Sequence, residues 1–129
     1  MNYVDVNVFV YWLTDHPSFG QRASEIMKGI EMGENACTSS FTIWLLHVLL
    51  EQEAENYSEK ILLERIQELP HLKVIPLEMQ DFRRGEQCRN TFRIDFEDSI
   101  HYAVARRLGA HTIYSNDSDF DKTDLKRVF

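Results

Sequence analysis

Short apolar runs and helical stripes alternate along the chain. Residues 3–10, YVDVNVFV, are rich in Val and read as a strand buried on both faces, interrupted by Asp5. His16-Pro17 breaks the chain, and Ser18 with Gln21 three positions later forms a capping-box pattern for a helix running to about Met32. ACTSS predicts a short strand that ends in a helix cap at Ser39 or Ser40, followed by a helix from Phe41 to about Asn56. Ile61, Leu62, Arg65, Ile66 and Leu69 repeat at helical spacing after Ser58, and Pro70 ends that element. LKVI is a strand stopped by Pro76, and helical sequence resumes from Leu77 to about Asn90. Asp95 caps a helix with Phe96, Ile100, Ala103, Val104 and Leu108 on its apolar face, and Gly109 stands where a left-handed C-terminal residue is wanted. HTIYS is a strand, NDSDFDKTD a polar loop, and LKRVF a closing edge strand. Strands that alternate with helices call for crossover connections. The expected fold is α/β, a single domain over residues 1–129 with a central parallel sheet flanked by helices.

Composition adds a few exclusions. The chain is 43% hydrophobic with no low-complexity tract, so it can enclose a real core. Its formal charge of −7 argues against a protein that binds nucleic acid by phosphate neutralisation alone. Cys37 and Cys88 do not form a metal-binding pair by spacing, and reduced thiols are expected. The N-terminal apolar run lacks a basic leader and is too short to cross a bilayer, so a cytoplasmic protein with no membrane association is expected.

The chemistry lies in the acids. A carboxylate inside an apolar strand, as Asp5 is on this reading, loses hydration unless it gains a proton, a partner or a cation. Asp98 lies in the first turn of its helix, and Asp117 and Asp119 directly follow the HTIYS strand. Helix dipoles and turns explain the last three singly. In a parallel sheet, however, ligands bind where strands end and helices begin, and these positions then converge at one edge. With no Lys or Arg expected between them, such carboxylates suit a hard cation, Mg2+ or Mn2+. Asn7 is either a hydrogen-bonding supporter of that site or a strand-end residue. His101, one turn beyond Asp98, is either a structural histidine or a further donor.

Four segments, YVDVNVFVYW, TSSFT, DFEDSIHYAVARRLGA and IYSNDSDFDK, fall in the order and spacing of PIN domains, and nearly the whole chain resembles that family. PIN domains are metal-dependent ribonuclease modules found in VapC-type toxins of toxin–antitoxin pairs. The resemblance implies a PIN-like fold, metal-assisted hydrolysis of RNA by Mg2+ or Mn2+, and a possible antitoxin partner. By the same resemblance Asp5, Asp98 and Asp117 are the catalytic metal-site acids, and Asp119 matches the acid before the Phe of the last loop. One position departs. The family's helix Glu after the Ser/Thr-rich strand end is Leu45 here, and neither His47 nor Glu51 lies on the helix face to replace it. The site is thus one carboxylate short.

Two other readings stand beside the ribonuclease. Asp5 followed by Asn7 is a partial match to phosphatases with an aspartate nucleophile, although no Lys sits convincingly near the late Asp pair. The loss of the acid at Leu45 also suits a non-catalytic interaction module. Arg83, Arg84, Arg89 and Arg93 are either a phosphate-facing patch or a solvated helix face. Trp44 to Leu50, apolar around most of a helix, points to a homodimer interface.

Overall fold

Five strands, β1 (Asn2–Val4), β2 (Ala36–Ser39), β3 (Leu72–Ile75), β4 (Thr112–Tyr114) and β5 (Lys126–Val128), form one sheet in the computed structural model, which describes residues 1–129. Every pairing is parallel and the order is β3-β2-β1-β4-β5. Six helices cover it: α1 (Val6–Leu13), α2 (Gly20–Glu31), α3 (Ser40–Glu53), α4 (Glu59–Gln67), α5 (Met79–Phe92) and α6 (Phe96–Arg107). The α/β fold with helices on both faces of a parallel sheet is therefore as expected.

Strand alternation divides the core in two. Val4 and Ala36 point to one face, where they meet Val8, Phe9, Ile26, Met27, Ile30, Leu46 and Leu62. Their neighbours Tyr3 and Cys37 point to the other, against Cys88, Tyr102, Val104, Ala105, Ile113 and Phe120. Both cysteines are buried and free, and burial pushes the Cys37 thiol up to about 11. On the second face α5 and α6 pack closely at Gly85. A Cβ there would stand 3.1 Å from Ile100 Cδ1 and 3.2 Å from Ser99 Oγ. No helix is long and apolar enough to cross a membrane.

Several local expectations hold. Ser39 caps α3 by accepting from Thr42 N, Ser58 caps α4, and Asp95 caps α6 by accepting from Asp98 N at 2.8 Å. Gly109 has φ +72°, the left-handed conformation that ends α6.

Two expectations are corrected. The first strand does not run from Tyr3 to Val10: it stops at Val4, and Val6–Leu13 is helical with Asp5 as its N-cap. The buried residues Val6, Val8, Phe9 and Val10 place this helix against the core, and that packing overrides the β preference of valine. The Ser18–Gln21 capping box does not form either. α2 starts at Gly20 after Phe19, and the His16 imidazole accepts from Ser18 N and Phe19 N, each at 3.1 Å, in its place. The polar loop before β5 contains a short 3-10 turn, Ser118–Lys122.

The strand order reverses direction between β1 and β4, the switch point at which a doubly wound sheet opens a crevice beyond its strand ends. Register fixes what lies there. Val4 pairs with Tyr114, so Asp5 and Ser115 leave the sheet side by side. Helix α6 begins at the same edge.

Candidate metal centre

Three carboxylates meet at this edge: Asp98, Asp117 and Asp119 each offer an oxygen within 4.8 Å of the other two. Asp98 comes from the first turn of α6, just after the α5–α6 joint at Arg93, which has φ 55°. The joint is helix-to-helix, so Asp98 does not follow a strand directly. Asp117 caps the 3-10 turn by accepting from Asp119 N at 2.9 Å. Its own N–H donates to Ser115 Oγ at 3.0 Å.

Asp5 stands beside this set. It is 3% exposed, and its two oxygens accept from Val6 N at 2.7 Å and from the Ser115 hydroxyl at 2.6 Å. An N-cap role therefore does account for part of its burial, which the strand reading had left unexplained. Asn7 contacts the loop and not the acids: its Oδ1 accepts from Asn116 N at 3.5 Å.

The electrostatics are those of a crowded anionic pocket. Asp98 is 5% exposed, and its Oδ2 has no hydrogen-bond partner. Burial, with Asp95, Asp117, Asp5 and Asp119 adding repulsion, pushes its carboxyl up to about 8. The α6 dipole favours an anion at this position, but desolvation and like charge win. Glu97 is raised for the same reasons, by burial first and then by Asp5, Asp95 and Asp117. His101, fully buried, is lowered by desolvation against the opposing pull of Asp5 and Asp95. An unpartnered buried carboxylate oxygen within a set of oxygen donors fits a hard divalent cation, which would replace the proton Asp98 otherwise holds.

The sequence reading overlooked three residues. Ser115, which the HTIYS pattern presents only as a strand end, ties Asp5 to Asp117. Glu97 adjoins Asp98 and brings an oxygen to 4.0 Å from His101 Nε2. Lys122 does balance the acids, against expectation: its Nζ lies 2.8 Å from Asp119 Oδ1, because the 3-10 turn places i and i+3 on one side. That spacing was visible in SDFDK.

Other candidates lie elsewhere. Leu45 packs at the margin of the core, so α3 gives the site no carboxylate at that position. His47 pairs with Tyr57 at 2.8 Å and faces Glu51. Arg83, Arg84 and Arg89 lie on the exposed side of α5, and none of them forms an ion pair. Trp44 is 61% exposed and, with Ile43, Leu63 and Val74, lines an apolar groove of about 600 Å³ between α3 and α4.

The chain matches the family model of the PIN domain over residues 3–126. It belongs to the PIN domain family. This PIN domain also superposes on solved structures. FitAcB from Neisseria gonorrhoeae is 19% identical with a TM-score of 0.75, covering 100% of this chain and 97% of that one. VapC20 of Mycobacterium tuberculosis, a Sarcin-Ricin loop cleaving toxin, is 15% identical with a TM-score of 0.76, covering 98% and 99%. VapBC2 from Rickettsia felis, bound to a DNA fragment from their promoter, is 17% identical with a TM-score of 0.73, covering 99% and 98%. At these identities the likeness is one of fold. No curated protein matches the chain in sequence.

Proposed function

We propose that this PIN domain is a divalent-cation-dependent ribonuclease and the toxin half of a toxin–antitoxin pair. The observation that carries the reading is the convergence of Asp98, Asp117 and Asp119, with Asp98 Oδ2 buried and unpartnered. Family membership supports it, as do the neighbours, one a loop-cleaving toxin and another a toxin–antitoxin complex from Klebsiella pneumoniae.

Asp98, Asp117, Asp119 and Asp5 would hold Mg2+ or Mn2+. When bound, such an ion lowers the pKa of a coordinated water and neutralises charge on the phosphate oxygens. The residues of the chain supply the rest. Ser115 orients Asp5 and fixes the start of the Asp117 loop. Asp95 holds the first turn of α6, and so the backbone of Asp98. Lys122 offsets charge at Asp119 on the exposed side, where an RNA backbone approaches. A bound cation would favour the ionised form of the Asp98 carboxyl, which burial and neighbouring acids otherwise hold up at about 8. A phosphatase role for Asp5 has less support, since Asn7 stands where that reading wants a second acid.

The apolar groove beside Trp44 is the surface we assign to protein contact, in a homodimer or with an antitoxin, and a cytoplasmic location accords with free thiols.

The test is cleavage of RNA with Mn2+, with Mg2+ and with chelator. Cleavage that needs the ion and is lost in Asp98→Asn and Asp117→Asn is expected. Cleavage in chelator, or an intact fold that neither binds Mn2+ nor cleaves, would overturn the reading and leave the interaction module.

A further inference from the structure

A run of aromatic rings starts at the loop that carries the acids. Asn116 stands between Ser115, which is bonded to Asp5, and Asp117. Its side-chain amide nitrogen lies 3.4 Å from the Tyr11 hydroxyl, and its backbone nitrogen 3.5 Å from Asn7 Oδ1. Asn7 and Tyr11 are one turn apart on α1, so a single face of that helix meets the loop. The rings continue past Tyr11. His16 and Phe19 have their centroids 4.9 Å and 5.0 Å from it, and they stack on each other at 5.1 Å and 19°. Phe19 is 36% exposed, and Tyr11 and His16 are half-buried.

These rings are fixed by the backbone around them. His16 N donates to Tyr11 O at 2.9 Å, and the His16 imidazole accepts from Ser18 N and Phe19 N. A Cβ on Gly20 would stand 3.0 Å from the Asp15 carbonyl carbon, so the joint between α1 and α2 is closely packed. A surface ordered in advance loses little freedom when a ligand settles on it.

Charge gives RNA little hold nearby. The chain carries a formal charge of −7, and Lys122 is already engaged by Asp119 at 2.8 Å. Stacking on an aromatic ring needs no countercharge, and every base has a face to offer. An unpaired base can present that face, whereas a duplex keeps its bases stacked on one another.

We propose that Tyr11, His16 and Phe19 form a base-stacking site for an unpaired nucleotide next to the phosphate held at the acids. The inference rests on the ribonuclease reading above. It adds a contact with a base, where the acids and their ion engage phosphate alone.

The Asp98→Asn chain, in which cleavage is expected to be lost, allows RNA binding to be measured at equilibrium. The probe is a labelled single-stranded RNA of mixed sequence, followed by fluorescence anisotropy. Phe19→Leu and Tyr11→Leu keep apolar bulk and lose the ring, and each should weaken binding at least about fivefold. Phe19→Trp should bind no more weakly than Phe19 itself, and affinity for a duplex of equal length should not change. Unchanged single-strand affinity in both Leu variants would overturn the base site, leaving the rings to a protein partner and the ribonuclease reading intact. An equal loss for the duplex would overturn it too, since a duplex offers no free base. No binding by the Asp98→Asn chain, with cleavage by the parent intact, would end the base site alone. Neither binding nor cleavage would end both readings. Should Tyr11→Leu not fold, the exposed Phe19 decides through 2-aminopurine placed in the RNA. Quenching that Phe19→Leu relieves supports the site, and quenching that persists contradicts it.

Discussion

The Ser115 hydroxyl donates to Asp5 Oδ2 at 2.6 Å while its oxygen accepts from Asp117 N at 3.0 Å. One side chain thereby joins the ends of β1 and β4 and sets the position of two of the four acids. Ser115→Ala removes the donor from a buried carboxylate and should cost about 1–3 kcal/mol of stability. Urea unfolding measures this, and Mn2+ titration of the same variant should show weaker binding. A variant as stable as the parent and with undiminished affinity would remove Ser115 from the account.

Asp98 makes stability depend on pH in an unusual direction. An unfolded aspartate loses its proton near about pH 4, whereas the folded one holds it up to about 8. Between those values the folded chain binds the extra proton, so stability falls as pH rises. The loss is complete once pH has passed the folded value. Melting temperatures from about pH 5 to about pH 9 should fall more steeply in the parent than in Asp98→Asn. Saturating Mn2+ should flatten the parent's curve. Identical slopes in parent and variant would contradict this.

Asp95 acts on Asp98 in two ways, through the cap and through charge. Its Oδ1 accepts from Asp98 N, and its charge is the largest repulsive contribution to the raised Asp98 carboxyl after burial. Asp95→Asn keeps an N-capping side chain and removes the charge. The Asp98 midpoint, followed by carboxyl 13C shifts, should drop below about 8. A midpoint that stays in place would remove the Asp95 charge from the account and leave burial and the other acids to set it.

The pair Arg107–Asp81 closes the opposite end of the α5–α6 layer. Arg107 Nε and Nη2 donate to the two oxygens of Asp81 at 2.8 and 2.9 Å, and Nη2 also reaches Pro76 O. Asp81 is 1% exposed, so Arg107→Met leaves a buried carboxylate without its cation. The expected cost is roughly 3–5 kcal/mol, read as a lower urea midpoint. Mn2+ affinity of the folded variant should be unaffected, since the pair lies toward the C-terminal end of α6 and the acids at its start.

Much of this was legible in the chain. Alternating strands and helices gave the sheet, and capping residues Ser39, Ser58 and Asp95 marked helix starts because their side chains satisfy free N–H groups locally. Asp98, Asp117 and Asp119 do meet at one sheet edge; the two loop acids arrive from a strand end as the parallel-sheet rule suggests, whereas Asp98 arrives from a helix-to-helix joint that the sequence pattern did not mark. The error at Asp5 came from valine. Val6, Phe9, Val10 and Leu13 have helical spacing behind an Asp cap, but their β-branched company concealed it. Ser115, Glu97 and the outlook of His101 depend on register and on the way α6 lies against β1. No local pattern carries that information.

The most direct measurement is the anomalous difference map of a crystal soaked in Mn2+. The account requires a peak among the carboxylate oxygens of Asp98, Asp117 and Asp119, with Asp98 Oδ2 in its coordination shell. A map at saturating Mn2+ with no density there, or with peaks only at exposed acids away from the β1–β4 edge, would contradict it.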